Sequence, residues 1–263
     1  MPRVSILTGL YQCEATLAEA LASIQAQTFT DWEMILCDDG STDRTPDIAQ
    51  PFIEADPRFK LIRNSRNRGL AAALNLALRQ AQGEYVARMD GDDRSRPDRL
   101  ASQVAYLDAN PGCAVVSGAM ACFDETGIWG HIRPQSEEPR PQDLAWGSPF
   151  AHAPSMMRRQ ILEQLGGYRT DVGRVEDYDL WVRLYAAGYR GHNLDQILYD
   201  VREDRQTTRR RDYRRRMDEA RIAWRACRDL RLALRSRAGA LRPLLVGLLP
   251  GLLYNALRRR KYA

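Results

Sequence analysis

Asp90-Gly91-Asp92-Asp93 gathers three carboxylates into four residues, directly after the strand-like run Gly83-Glu84-Tyr85-Val86-Ala87-Arg88. Carboxylate oxygens are hard ligands, and a divalent cation held by one or two of them completes its shell with water and substrate phosphates. A second acidic turn, Asp38-Asp39-Gly40-Ser41-Thr42-Asp43, follows the apolar run Trp32-Glu33-Met34-Ile35-Leu36-Cys37. Asp-Gly is also an ordinary turn dipeptide, and Ser41, Thr42 and Asp43 suit a helix N-cap. A cap explains one side chain and leaves the paired aspartates unexplained. In open α/β sheets ligands bind beyond the carboxyl ends of the strands, so two such turns can meet over one ligand.

The elements around these turns alternate between strand and helix patterns. Val4 to Thr8, Met34 to Cys37, Phe59 to Arg63 and Tyr85 to Met89 read as strands. Between them, Ala15 to Ala26, Asp43 to Ala55 and Leu70 to Gln80 carry helical spacing, with Leu17, Leu21 and Ile24 on one face of the first. This order predicts an α/β fold, Rossmann-like, with a mostly parallel sheet and helices on both faces. Residues 97–109 suit a further helix, and short β-like runs follow at Ala114 to Ser117 and Met120 to Phe123. Arg133 to Pro141, with Pro134, Pro139 and Pro141, reads as a loop that flaps over the second half. No Gly-x-Gly-x-x-Gly follows the first strand and no Gly-x-x-x-x-Gly-Lys-Ser/Thr occurs, which weighs against nucleotide-dependent redox enzymes and P-loop ATPases.

With these residues in view, the chain resembles the family 2 glycosyltransferases of GT-A fold, inverting enzymes that use a nucleotide-activated sugar and a divalent metal. The resemblance runs through Val4-Ser5-Ile6-Leu7-Thr8, Ser23-Ile24-Gln25-Ala26-Gln27-Thr28-Phe29, the Asp38 turn, Asn67-Arg68-Gly69-Leu70-Ala71 and the Asp90 turn, and ends near Arg202. It implies that Asp92 ligates Mn²⁺ or Mg²⁺, and that Asp90 contacts the ribose or donor sugar. Asp39 would accept a hydrogen bond from the nucleobase, with Thr8 and Tyr11 lining the base pocket. Glu176-Asp177-Tyr178-Asp179-Leu180-Trp181 resembles the family's acidic motif at a helix N-terminus, which makes Asp177 the general base. Glu176 and His152 become acceptor-side candidates. A uridine diphosphate sugar is the implied donor, and a glycan or lipid-linked hydroxyl the implied acceptor. Gln12 departs from the pattern, where an asparagine is usual, and so does the absence of a histidine just after Arg202. A non-catalytic binding protein of the same fold and a nucleotidyltransferase are the alternatives.

The 263 residues, 44% of them apolar, suffice for one large domain with an appendage. Residues 1–201 form the expected catalytic domain, divided into a nucleotide half (1–96) and an acceptor-side half (97–201), and residues 202–263 a helical extension. Net charge is divided along the same line. The extension carries 19 basic and 6 acidic residues, a net +13, whereas the remainder has 20 and 28, a net −8. Tyr213, Met217, Ala220, Trp224, Cys227, Leu230 and Leu234 share helical spacing and predict an amphipathic helix. The leucine-rich run that follows is too short and interrupted to span a bilayer, which needs about 20 apolar residues. Residues 239–263 are therefore expected to contact an anionic membrane peripherally, with docking on the body the competing reading; charge alone does not make a nucleic-acid arm. Five cysteines, an odd number without a Cys-x-x-Cys pair, and the lack of a secretory leader pattern predict a reduced, cytoplasmic protein at the inner face of the cell membrane.

Overall fold

The computed structural model describes residues 1–203 and 213–248. Its centre is a nine-stranded sheet of order β3-β2-β1-β4-β8-β6-β9-β5, with β7 paired outside β6. The strands are β1 (Val4–Leu10), β2 (Trp32–Asp38), β3 (Phe59–Arg63), β4 (Tyr85–Arg88), β5 (Arg94–Ser95), β6 (Cys113–Asp124), β7 (Gly127–Ile132), β8 (Met156–Arg158) and β9 (Arg190–Arg202). β1 to β4 are mutually parallel, β8 runs antiparallel to both β4 and β6, and β6 is parallel to β9. The alternating pattern of the first 90 residues thus gives the parallel block that was expected, and β4 delivers the Asp90 turn at its carboxyl end.

Adjacent strand residues point to opposite faces, and each face has its own core. On one side Ile6, Met34, Leu36 and Val116 meet α1 (Leu17–Gln25), α2 (Thr45–Ala55) and α4 (Arg99–Ala109). On the other, Leu7, Ile35, Val86 and Val115 meet α3 (Leu70–Leu78), α5 (Arg159–Gln164), α6 (Glu176–Ala186) and α7 (Tyr213–Asp229). α6 is anchored by Leu180, Trp181 and Leu184, all fully buried; each such side chain contributes about 1.5–3 kcal/mol of burial.

Three expectations change. The runs 114–117 and 120–123 are one strand, β6, because Gly118 lets β9 approach closely: a Cβ there would lie 2.8 Å from Leu198 Cδ1. The register shifts at that point and the strand continues. β9 escapes a pattern search because polar residues such as Asn193, Asp195 and Gln196 interrupt it. Its stability comes from ten registered partners on β6, a nonlocal source.

The third change concerns the extension. α7 buries Ile222, Ala223, Ala226 and Cys227 against the body, while Tyr213, Met217 and Trp224 of the expected apolar stripe face outward. Cys227 and Leu230 of that stripe do pack inward, so the packing face overlaps the expected one and extends past it through Ala223 and Ala226, small residues that permit close helix approach. α8 (Arg237–Leu248) folds back beside α7: Gly247 lies against Tyr213 and Arg216, and Gly239 against Ala145 and Trp146. Docking therefore holds for α7 and for part of the segment from residue 239. Residues 249–263 of that segment lie outside the described residues. No helix among the described residues is long and apolar enough to cross a membrane.

Candidate active site

β1, β2 and β4 end side by side, and the loops leaving them build the site. The β1–α1 loop turns at Gln12, whose φ of 58° is left-handed. Its backbone N–H donates to Ser41 Oγ at 3.1 Å, its side-chain Nε2 donates to Thr42 Oγ1 at 2.9 Å, and its Oε1 accepts from the Asp43 N–H at 3.1 Å. The departure at Gln12 thus braces two loops against each other.

A cavity of about 370 Å³ opens between these loops and the start of α6. Tyr11, Asp39, Asn67, Arg68, Arg174 and Glu176 are on its wall. Asp39 is buried and organises one side: Oδ1 accepts from Asn64 Nδ2 at 2.7 Å, and Oδ2 from the backbone N–H groups of Arg68 and Gly69 at 2.9 and 2.7 Å. Each carboxylate oxygen has two acceptor positions, so Oδ1 retains one. Tyr11 is exposed at the rim. Thr8 does not reach the wall; it shares the sheet face of Ile6, turned toward α1 and α2, and is fully buried. Gly9, Leu10 and Tyr11 form that part of the wall instead. Glu176, expected on the acceptor side, lines this cavity. Burial, then the neighbouring Asp177 charge, raises its pKa.

Leu10 borders both the cavity and the acidic turn, since a Cβ on Gly91 would lie 2.6 Å from its Cδ2. In that turn the carboxylates of Asp90, Asp92 and Asp93 offer ligand atoms within 4.8 Å of one another. Asp92 is exposed, Asp90 half-buried and Asp93 buried. Burial, then the charges of Asp90 and Asp92, pushes the Asp93 carboxyl up to about 8. Such a set, all hard oxygen donors under mutual repulsion, fits a divalent cation of the Mg²⁺ or Mn²⁺ type.

Several residues that hold the turn were not singled out from sequence. Arg88, fully buried on β4, is ion-paired with Asp90. Tyr199 on β9 accepts from the Asp90 N–H at 3.0 Å and hydrogen-bonds Asp93. Arg202 donates its backbone N–H to Asp93 Oδ1 at 2.7 Å and Nε to the Asp92 carbonyl at 3.0 Å. Arg88 closes the strand-like run before the turn and Arg202 stands where the resemblance ends; the pairing of β5 with β9, Ser95 opposite Tyr199, together with that of β6 with β9, carries Tyr199 and Arg202 to the turn. His152 is a packed residue: Nε2 meets the Tyr168 hydroxyl at 3.2 Å, and the ring contacts Trp181. Burial, then the Arg88 cation, holds its pKa well below the ordinary histidine range, so it stays neutral. Asp177, half-buried, stands in the first turn of α6 beside Glu176.

A curled, mostly parallel sheet with acidic turns at the ends of β2 and β4, on either side of β1, opposed by an acidic helix start, defines a glycosyltransferase of GT-A fold. The chain belongs to glycosyl transferase family 2, whose model matches residues 5–166. Among its relatives, the Bacillus subtilis (strain 168) glycosyltransferase EpsE is 42% identical over 263 residues, covering 99% of this chain and 94% of that protein. The amylovoran biosynthesis glycosyltransferase AmsE of Erwinia amylovora is 31% identical over 75% of each chain. The solved structure of the mannosyltransferase PcManGT from Pyrobaculum calidifontis, in complex with GDP-Man and Mn²⁺, superposes with a TM-score of 0.65 at 25% identity, over 98% of this chain and 80% of that one. Catalysis, as opposed to binding alone or nucleotidyl transfer, is the function that these likenesses carry.

Proposed function

We propose that the protein moves a sugar from a nucleotide-sugar donor to a hydroxyl of a growing glycan or a lipid-linked acceptor, with inversion and with a divalent cation. The observation that carries this reading is Asp39 and Glu176 on one cavity wall, with the Asp90 turn adjoining that wall at Leu10 and Asp177 next to Glu176. The nucleobase would be received at Asp39 Oδ1 and against Tyr11, with Asp90 at the ribose or sugar. Asp92 would ligate the cation, aided by its neighbours; a bound cation supplies a Lewis acid for the departing diphosphate. Asp177 would take the proton of the acceptor hydroxyl as its oxygen bonds to the anomeric carbon. The bond from that carbon to the phosphate oxygen breaks, and the nucleoside diphosphate carries away the electron pair.

UDP-sugars are the default donors, and the GDP-Man bound by PcManGT makes guanosine donors the direct comparison. AmsE supports a place in polysaccharide synthesis. The test is a thermal-shift screen of UDP- and GDP-sugars with Mn²⁺ or Mg²⁺, followed by NMR of the product anomer. Stabilisation by none of these donors, or retained configuration, overturns the reading.

The extension would hold the enzyme at the inner membrane face. Trp224, Leu241, Leu245 and Leu248 are exposed, and arginines such as Arg221 and Arg242 flank them, a composition suited to an anionic interface. Full-length protein should float with anionic vesicles, and a deletion from Gly239 should not. Equal behaviour of the two forms removes the membrane role.

A further inference from the structure

Asp179 sits two residues after Asp177 in the first turn of α6, and it is fully buried. A buried carboxylate is costly unless charge and hydrogen bonds compensate it. Two arginines do so. Arg183 Nε donates to Oδ2 at 2.7 Å from the next turn of α6, and Arg225 Nη1 donates to Oδ1 at 2.5 Å from α7. Arg183 also donates to the carbonyls of Leu165 and Gly167, at the end of α5. One carboxylate therefore ties the start of α6 to α5 and to the C-terminal extension. α7 backs the donor cavity as well: a Cβ on Gly173 would lie 2.6 Å from Asp218 Oδ2, and Gly173 is on the cavity wall with Thr170 and Arg174.

We propose that Arg225 is a positioning residue for catalysis, setting the first turn of α6, and hence Asp177, through Asp179. This rests on Asp177 as the base. A base acts only within hydrogen-bond reach of the proton that it takes, and a shift of about 1 Å costs on the order of 10²-fold in rate. Loss of Arg225 leaves Asp179 buried with one hydrogen-bonded arginine in place of two, Arg169 adding only its charge, and the low-cost response is for the helix start to move toward water. The extension is then part of the catalytic unit, and not an appendage to a body that ends near residue 201.

The test compares Arg225→Ala, Arg225→Lys and Arg228→Ala in the full chain, with UDP-GlcNAc and GDP-mannose as donors and release of nucleoside diphosphate as the readout. Arg228 is exposed on the same helix and paired with Asp229, so its variant controls for surface charge. Arg225→Ala should lose roughly tenfold or more in kcat with donor KM within about twofold, Arg225→Lys should recover part of it, and Arg228→Ala should match the parent. Adding Asp179→Asn to Arg225→Ala should cost less than the two separate losses combined. Hydrogen exchange of residues 174–184 should quicken in Arg225→Ala, which reads the coupling even where neither donor turns over. Unchanged exchange overturns the proposal, as does a kcat loss that only follows the loss of folded protein. Wild-type turnover in Arg225→Ala beside an inactive Asp177→Asn removes this proposal alone, whereas wild-type turnover in Asp177→Asn removes the base assignment beneath it.

Discussion

At the scale of residues, the acidic turn makes the sharpest predictions. Asp92→Asn removes one anionic ligand, so Mn²⁺-dependent affinity for UDP should fall about tenfold or more in calorimetry, with metal-free binding unchanged. Asp93 gives a pH dependence. Its folded pKa, near 8, lies far above that of an unfolded aspartate, so the stability it contributes is present at low pH and lost as pH rises through about 8. A bound cation would take the place of that proton. Addition of Mn²⁺ should therefore raise the melting temperature more at pH 8 than at pH 6, and equal shifts would deny the cluster a metal. Asp177→Asn keeps size but removes the basic carboxylate, so transfer should fall by roughly 10² or more while donor binding persists. The strand ends that carry Asp39, Asp90 and Asp92 were legible in sequence because local pattern identifies each strand. Thr8 is fully buried on the sheet face of Ile6, and Gly9, Leu10 and Tyr11 line the cavity beside it.

At the scale of elements, the tight places are where loops cross. Gly40 adopts a φ of 76°, and a Cβ there would stand 2.7 Å from the Arg66 backbone. Backbone cannot swing aside as a side-chain tip does. Gly40→Ala should therefore cost about 1–3 kcal/mol in denaturant unfolding and loosen the Asp39 loop, so donor affinity falls with stability. A fully stable variant would mean that the two loops are independent. The helices and the first four strands were readable because their stabilising contacts repeat at 3.6 or 2 residues. β9 was not, since its partners stand about 77 residues earlier on β6 and its own sequence is half polar. The outward turn of Met217 and Trp224 was hidden for a related reason: bulky apolar residues marked one face, while α7 packs through alanines that let it come close.

At the scale of the whole molecule, two cores on opposite faces of one sheet have different sequence origins. The core under α1, α2 and α4 is closed by strands and helices from the first half of the chain, together with Val116, Met156, Leu194 and Tyr199. The core under α3, α5 and α6 also takes Ile222, Ala223, Ala226 and Cys227 from α7. Removal of the chain from Gly239 should keep that second core and the proposed nucleotide site, with UDP affinity in Mn²⁺ within about twofold of the full chain, because α7 stays docked. Aggregation of this form would show that α8 shields Trp146 and α7 from water. The Asp179–Arg225 pair has a temporal consequence. Its partners are 46 residues apart, and Arg225 also follows Tyr199 and Arg202, so a chain emerging from the ribosome completes the brace on the acidic turn of β4 before the arginine that secures α6 appears. Capacity to hold a nucleotide would then appear early in synthesis and turnover late, an order that release of nascent chains of graded length, assayed for each, would reveal.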